Sequence, residues 1–226
     1  MIDPATLPLP AVVPVFPLTG ALLLPRGLLP LNIFEPRYLA MVRDAMAASG
    51  AAHRIIGMIQ PRARQEPPPL FDVGCLGLIT DHRETDDGRI LITLTGLSRF
   101  RVQAELERTT PYRQVMADYL GFQDDRDEPS PLSATARAGL EEVLHSYLDA
   151  QGLSADWEAV RAADDESLVT TLSCVCPFDP PEKQALLEAG DLPDRAATLT
   201  ALMTFAQGPG SPRAGPGSGS DRPTLQ

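Results

Sequence analysis

Three short apolar runs open the chain, Val12–Phe16, Ala21–Leu24 and Leu28–Phe34, each cut off by proline or glycine. Each reads as a strand. Prolines this dense withhold ladder donors from a central strand, so the runs predict short strands in a curled sheet. A change of period follows. Pro36 suits the first turn of a helix, where its missing N–H would have no partner anyway. Tyr38, Met41, Val42 and Ala45 then recur at helical spacing, with Leu39 and Met46 flanking the stripe and Arg37, Arg43 and Asp44 opposite. Ser49-Gly50 closes this helix, and Arg54–Gln60 is the next strand, apolar at Ile55, Ile56, Met58 and Ile59.

Arg62–Pro69 reads as a polar, proline-rich loop projecting from the sheet. Beyond it, Val73-Gly74-Cys75-Leu76-Gly77-Leu78-Ile79 is a buried strand whose two glycines predict a bulge or a close backbone approach. Asp86-Asp87-Gly88 is a hairpin signal, because such residues tolerate positive φ. The returning strand alternates Ile90, Ile92 and Leu94 with Leu91, Thr93 and Thr95, and then Phe100 and Val102 with Arg99 and Arg101. Pro111 introduces a last strand, Tyr112–Leu120, which makes about seven strands and one helix by Phe122.

Asp124–Pro129 is an acidic linker, after which the pattern is helical. Ser130-Pro131 pairs an N-cap with proline at the first helical position, and Ala136, Leu140, Val143, Leu144 and Tyr147 form an apolar stripe. Further helices are predicted from near Ser154, over Glu166–Cys176, from Asp179 with Glu182 reaching back to its N–H, and from near Asp191 with Leu199, Leu202, Met203 and Ala206 inward. The pattern thus predicts an α+β chain: a curled β-domain with one inserted helix over residues 1–123, a helical bundle over 124–207, and a disordered Gly/Pro/Ser tail over 208–226.

Composition narrows the chemistry. A formal charge of −11 opposes a phosphate-backbone or anionic-membrane partner. Lys183 is the only lysine among 19 basic residues, and no Gly-Lys pair exists for a Walker-type phosphate loop. Lys183, within Pro180-Pro181-Glu182-Lys183, reads as the exposed first turn of a helix and makes a poor Ser–Lys dyad. No catalytic residue, metal or cofactor is therefore expected. Three cysteines, no basic-then-apolar leader and no run approaching a membrane span imply a soluble, cytoplasmic protein in a reducing compartment.

The runs Val13–Leu18 and Leu29–Tyr38, the strand Asp72–Gly77 and the segment Thr95–Phe100 resemble the N-terminal substrate-binding domain of Lon proteases, above all the stand-alone bacterial proteins that carry this domain alone. The resemblance covers Val12 to Phe205, and Phe34-Glu35-Pro36-Arg37-Tyr38 is its most specific part. It implies a PUA-like pseudo-barrel followed by a helical bundle. It also implies a module that collects unfolded polypeptides, in a family whose ATPase and peptidase domains lie further along the chain.

Phe34, Glu35, Pro36, Arg37 and Tyr38, with Phe16 and Leu18 from the first run, are the candidate peptide-binding residues. The plainer alternative makes Phe34 and Tyr38 core, Pro36 a helix start and Glu35–Arg37 a surface pair. Arg62–Pro69 is a docking loop or a solvated connection, and Cys174-Val175-Cys176 lacks metal-ligand spacing. His53 and His82, with Asp81, Glu84 and Asp86, are more simply a polar hairpin end than a site. The expected function is non-catalytic binding of an unfolded polypeptide or a protein partner. An assembly module acting in trans on a protease, and an enzyme of an unrecognised type, are the alternatives.

Overall fold

In the computed structural model, residues 6–47, 54–63 and 67–207 are described. The strands are β1 (Val12–Pro17), β2 (Leu28–Ile33), β3 (Ile55–Ile59), β4 (Val73–Glu84), β5 (Ile90–Glu105) and β6 (Arg113–Asp118), with α1 (Pro36–Ala47) between β2 and β3. The helices α2 (Ala134–Gln151), α3 (Trp157–Ala162), α4 (Asp165–Val175), α5 (Pro180–Glu188) and α6 (Leu192–Ala206) follow. The sheet is mixed: β1 and β3 are parallel, and the other pairs are antiparallel. Its order is β2-β5-β4-β3-β1-β6, and β6 also pairs with the far end of β5.

That second pairing brings the ladder back on itself, so β5, β4, β3, β1 and β6 form a closed circuit. The side chains explain the closure. Val13, Val15, Ile55, Ile59, Leu76, Leu78, Leu97, Phe100, Val115 and Ala117 form one buried cluster to which every strand of the circuit contributes. The glycines predicted to mark a bulge or close approach do both. The β4–β5 register shifts between Cys75 and Gly77, and a Cβ on Gly74 would stand 2.6 Å from the Phe100 ring. The 86–88 hairpin signal is also met: Gly88 has φ +80 and donates to Thr85 O at 2.9 Å.

A second, larger cluster joins the outer face of the sheet to the helices, from Phe16, Ile56 and Met58 through Tyr38, Met41 and Val42 to Leu144, Val169, Leu186 and Leu199. Leu22, Leu23 and Leu24 belong to it. The sequence pattern predicts a strand there, and here the structure differs: the run is buried but joins no ladder, so the strands among the described residues number six. Apolar content reports burial, and it does not report whether a neighbouring strand is available for pairing.

Local helix signals held where they were strongest. Pro36 starts α1, whose buried residues are Tyr38, Met41, Val42 and Ala45 as the spacing predicts. Glu182 Oε2 accepts from Asp179 N–H at 2.8 Å. The cap of α2, however, is Ser133, whose hydroxyl accepts from Ala136 N–H, not Ser130. Replacing Ser133 with alanine is expected to cost about 1 kcal/mol in urea denaturation, whereas Ser130→Ala should be near neutral. The Ser49-Gly50 stop, His53 and the tail over 208–226 lie outside the described residues.

Three polar positions correct the sequence reading. Arg99 does not join Arg101 at the surface; it is 4% exposed and lies on the buried side with Asp125, itself in the segment read as a linker. A short 3-10 helix, Gln123–Arg126, overlaps the start of that segment and turns Asp125 inward. Lys183 is not an exposed first-turn residue either. It is 9% exposed, and its ammonium donates to Gly20 O at 2.8 Å and Cys174 O at 3.2 Å, tying the leucine loop to the end of α4. Gln60 and Gln184 make a similar clasp, with Gln60 Nε2 donating to Pro180 O and Gln184 Nε2 to Val73 O, both at 3.0 Å. Buried polar groups need partners of this kind.

Candidate functional site

The strand β2 hangs outside the closed circuit and, among the described residues, is paired on one side only, to β5. Its register begins where Gly96 N–H donates to Gly27 O. Antiparallel alternation then turns the backbone groups of Leu29, Leu31 and Ile33 toward β5 and those of Leu28, Pro30 and Asn32 to the outer edge. Proline fits that arrangement, because its missing N–H removes no ladder bond. The side chains split the same way. Ile33 is buried and Leu29 and Leu31 pack on the large core, while Leu28, Pro30 and Asn32 are exposed.

Phe34 extends the outward row by one more step of two. Its side chain is 62% exposed and Leu28 is 65% exposed. The Arg89 guanidinium lies 6.0 Å from the Phe34 ring centre. An unpaired strand edge flanked by exposed apolar side chains is the usual hazard that folded proteins suppress, and among the described residues no strand pairs with this one.

The other sequence-nominated residues fall on either side of the surface. Phe16 and Tyr38 are core, with ring centres 4.0 Å apart, while Leu18 is half-buried and donates from its N–H to Ile59 O at 3.0 Å. Glu35 and Arg37 are an exposed ion pair at 2.8 Å, and the Arg37 guanidinium stands 4.7 Å over the Tyr38 ring. Phe34, Glu35, Pro36 and Arg37 therefore form a corner where β2 meets α1, with Tyr38 and the Phe16 ring against it beneath, while Leu18 bonds to β3.

Beside this corner is a small cleft of about 60 Å³ lined by Pro17, Arg37, Tyr38, Pro68, Tyr112 and Arg113, among others. Tyr112 donates to Asp44 Oδ2 at 2.8 Å, and burial, reinforced by that carboxylate, pushes its phenol up to about 12. Arg113 forks onto Glu105, with Nε to Oε1 at 2.7 Å and Nη2 to Oε2 at 2.5 Å, which holds the Glu105 carboxyl below its usual range. Arg113 Nη1 also donates to Pro68 O at 2.7 Å, fixing the described end of the 62–69 loop against the sheet.

Sequence reasoning named Phe34 but missed Leu28 and Pro30, because an apolar run does not say which strand lacks a neighbour. Elsewhere the chemistry is sparse. His82 is an exposed residue of β4, and His145 pairs with Asp149 at 3.0 Å and stacks on Trp157. Burial raises the thiols of Cys75 and Cys176, the latter to about 11, which disfavours the reactive thiolate. Among the described residues no cluster of His, Cys, Asp or Glu could hold a metal ion, and no helix is long and apolar enough to cross a membrane.

Residues 12–204 match the family model of the ATP-dependent protease La (LON) substrate-binding domain. The Lon protease of Desulfosudis oleivorans is 26% identical over 199 residues, covering 85% of this chain and 24% of that protein. Lon protease 2 of Myxococcus xanthus is 26% identical over 202 residues, covering 86% and 24%. The chain thus spans about a quarter of the length of these relatives. The crystal structure of a Lon N-terminal domain protein from Xanthomonas campestris superposes with a TM-score of 0.60 at 22% identity, covering 84% of this chain and 97% of that one. The N-terminal domain of a Mycobacterium avium complex Lon protease gives 0.57 at 18% identity, covering 85% and 98%. At these identities the structural likeness speaks for the fold.

Proposed function

The chain belongs to the LON substrate-binding domain family, and from that premise we propose that it is a non-catalytic polypeptide-binding module whose receiving element is β2. An extended segment of an unfolded chain adds to the outer edge of β2, using the backbone groups of Leu28, Pro30 and Asn32. Its alternate side chains rest on Leu28, Pro30 and Phe34. Backbone pairing supplies affinity with little demand on sequence, and the apolar row favours segments that a folded protein would bury. The observation that carries this reading is the single-sided pairing of β2 combined with the exposure of Leu28 and Phe34. The PUA-like pseudo-barrel reading of the sheet belongs to the same proposal and is supported by the double pairing of β6.

Fluorescence anisotropy of a labelled, reduced and alkylated polypeptide tests it. Phe34→Ala is expected to weaken binding by about fivefold or more while leaving the melting temperature nearly unchanged, since the side chain is mostly solvated. Asn32→Pro removes one of the outward N–H groups without touching the β5 ladder, and is expected to weaken binding comparably. Absence of binding by the wild-type chain, or unchanged binding by both variants, overturns the reading.

A further inference from the structure

A cavity of about 330 Å³ lies where the sheet meets the helices, between the 25–26 turn, the 3-10 segment and the start of α6. Its lining includes the buried Arg99 and Arg195 and the more exposed Arg26. Two of these arginines are satisfied by the protein. Arg99 is held by Asp125 and by carbonyls of residues 187, 189 and 190, and Arg26 by Glu166 at 2.6 Å and the carbonyls of Asp125 and Asp127.

Arg195 differs. It is 8% exposed, its Nε donates to Leu186 O at 2.9 Å, and among the described residues neither Nη nitrogen has an acceptor. Burial, with Arg99 close by, lowers its guanidinium to about 10. A buried guanidinium whose outer fork faces a cavity is matched by a carboxylate, which accepts two parallel N–H bonds. The mouth adds a second requirement. Asp124, Asp127, Glu128 and Asp191 are exposed residues of its lining, while Glu166 is taken up by Arg26, so a dianion is repelled and a positive group is favoured. The ligand must carry a carboxylate at one end and a cation at the other.

We propose that this cavity binds a basic amino acid, either free or as the C-terminal residue of a peptide, with Arg195 holding the carboxylate and the acidic mouth receiving the cationic side chain. The volume suits one such residue. A wider hollow shares Glu128, Pro129, Glu166 and Leu192 with the cavity and continues past Pro131 and Asp164, giving a preceding peptide a path outward. The site shares no residue with the β2 edge, so its failure and that of the polypeptide-binding reading are separable.

Isothermal titration of the full chain tests it with four probes: L-arginine, agmatine (which lacks the carboxylate), acetyl-Gly-Gly-Arg, and the amide of that peptide. L-arginine or the free-acid peptide is expected to bind saturably, and its carboxylate-free counterpart at least about tenfold more weakly; which of the two binds tells whether the source is free or peptidic. Arg195→Met, which keeps the aliphatic stem, is expected to abolish the preference. Glu128→Gln, at an exposed mouth position, should reduce affinity about two- to threefold without unfolding the chain. The proposal is overturned if neither carboxylate probe binds, if agmatine or the amide binds equally well, or if inorganic phosphate binds more tightly than both carboxylate probes. The probe comparisons use the wild-type chain and do not depend on the Arg195 variant folding.

Discussion

Replacing Asp125 with alanine is expected to destabilise the fold by about 3–5 kcal/mol, the range for breaking one side of a buried ion pair. Asp125 accepts from the backbone N–H of Arg99 at 2.7 Å, from its Nε at 3.0 Å and from its Nη2 at 2.6 Å, and both side chains are 5% exposed. Arg99 in turn donates to the Leu187, Ala189 and Gly190 carbonyls where α5 ends. The pair therefore joins β5 to the helices through the segment that connects them. Without the carboxylate, the Arg99 charge stays buried and faces Arg195, whose guanidinium it already disfavours. Urea denaturation measures the loss. The double replacement Asp125→Leu with Arg99→Met should recover a large part of it, because an apolar pair removes the stranded charge. A loss under 1 kcal/mol for Asp125→Ala would show that the junction does not depend on this pair.

Gly96→Ala is expected to cost about 3–5 kcal/mol, from overpacking and the loss of one or two backbone hydrogen bonds. A Cβ at Gly96 would stand 1.9 Å from Leu24 O and 2.8 Å from Leu24 C. Both are backbone atoms, so no rotamer change relieves the clash. The same glycine donates to Gly27 O and accepts from Arg26 N–H, both at 2.9 Å. Moving the 24–27 segment aside would break these bonds and lift Leu24, which is fully buried, out of the core. It would also shift the root of β2, so polypeptide binding should fall with stability. The melting temperature is expected to drop on the order of 10 °C. Gly121→Ala is the control, since a Cβ there meets nothing within 4 Å; a similar drop in both variants would refute the close-approach account.

The Thr95–Phe100 run that helped mark the family owes its glycine to this contact, which no reading of the run itself reveals. The contact joins residues 24 and 96, and spacing along a chain carries no information about which distant backbones touch.

What was legible along the chain is what depends on neighbours a few residues apart. The Pro36 start and buried stripe of α1, the Glu182 reach to Asp179, the Gly88 turn and the glycine-marked bulge of β4 are all set by local sterics and short hydrogen bonds. Family membership was legible for the same reason, since its marking runs are contiguous. The fold placed by long-range contact what spacing could not. Arg99, Asp125 and Lys183 read as surface residues because isolated charges belong in water; they are buried because partners 26, 88 and 163 residues away satisfy them. Leu22–Leu24 and Leu28–Ile33 read alike, yet one is a core loop and the other an open edge. The reason is physical: apolar patterning specifies which side chains leave water, and only the assembled sheet determines which backbone edge is left without a partner.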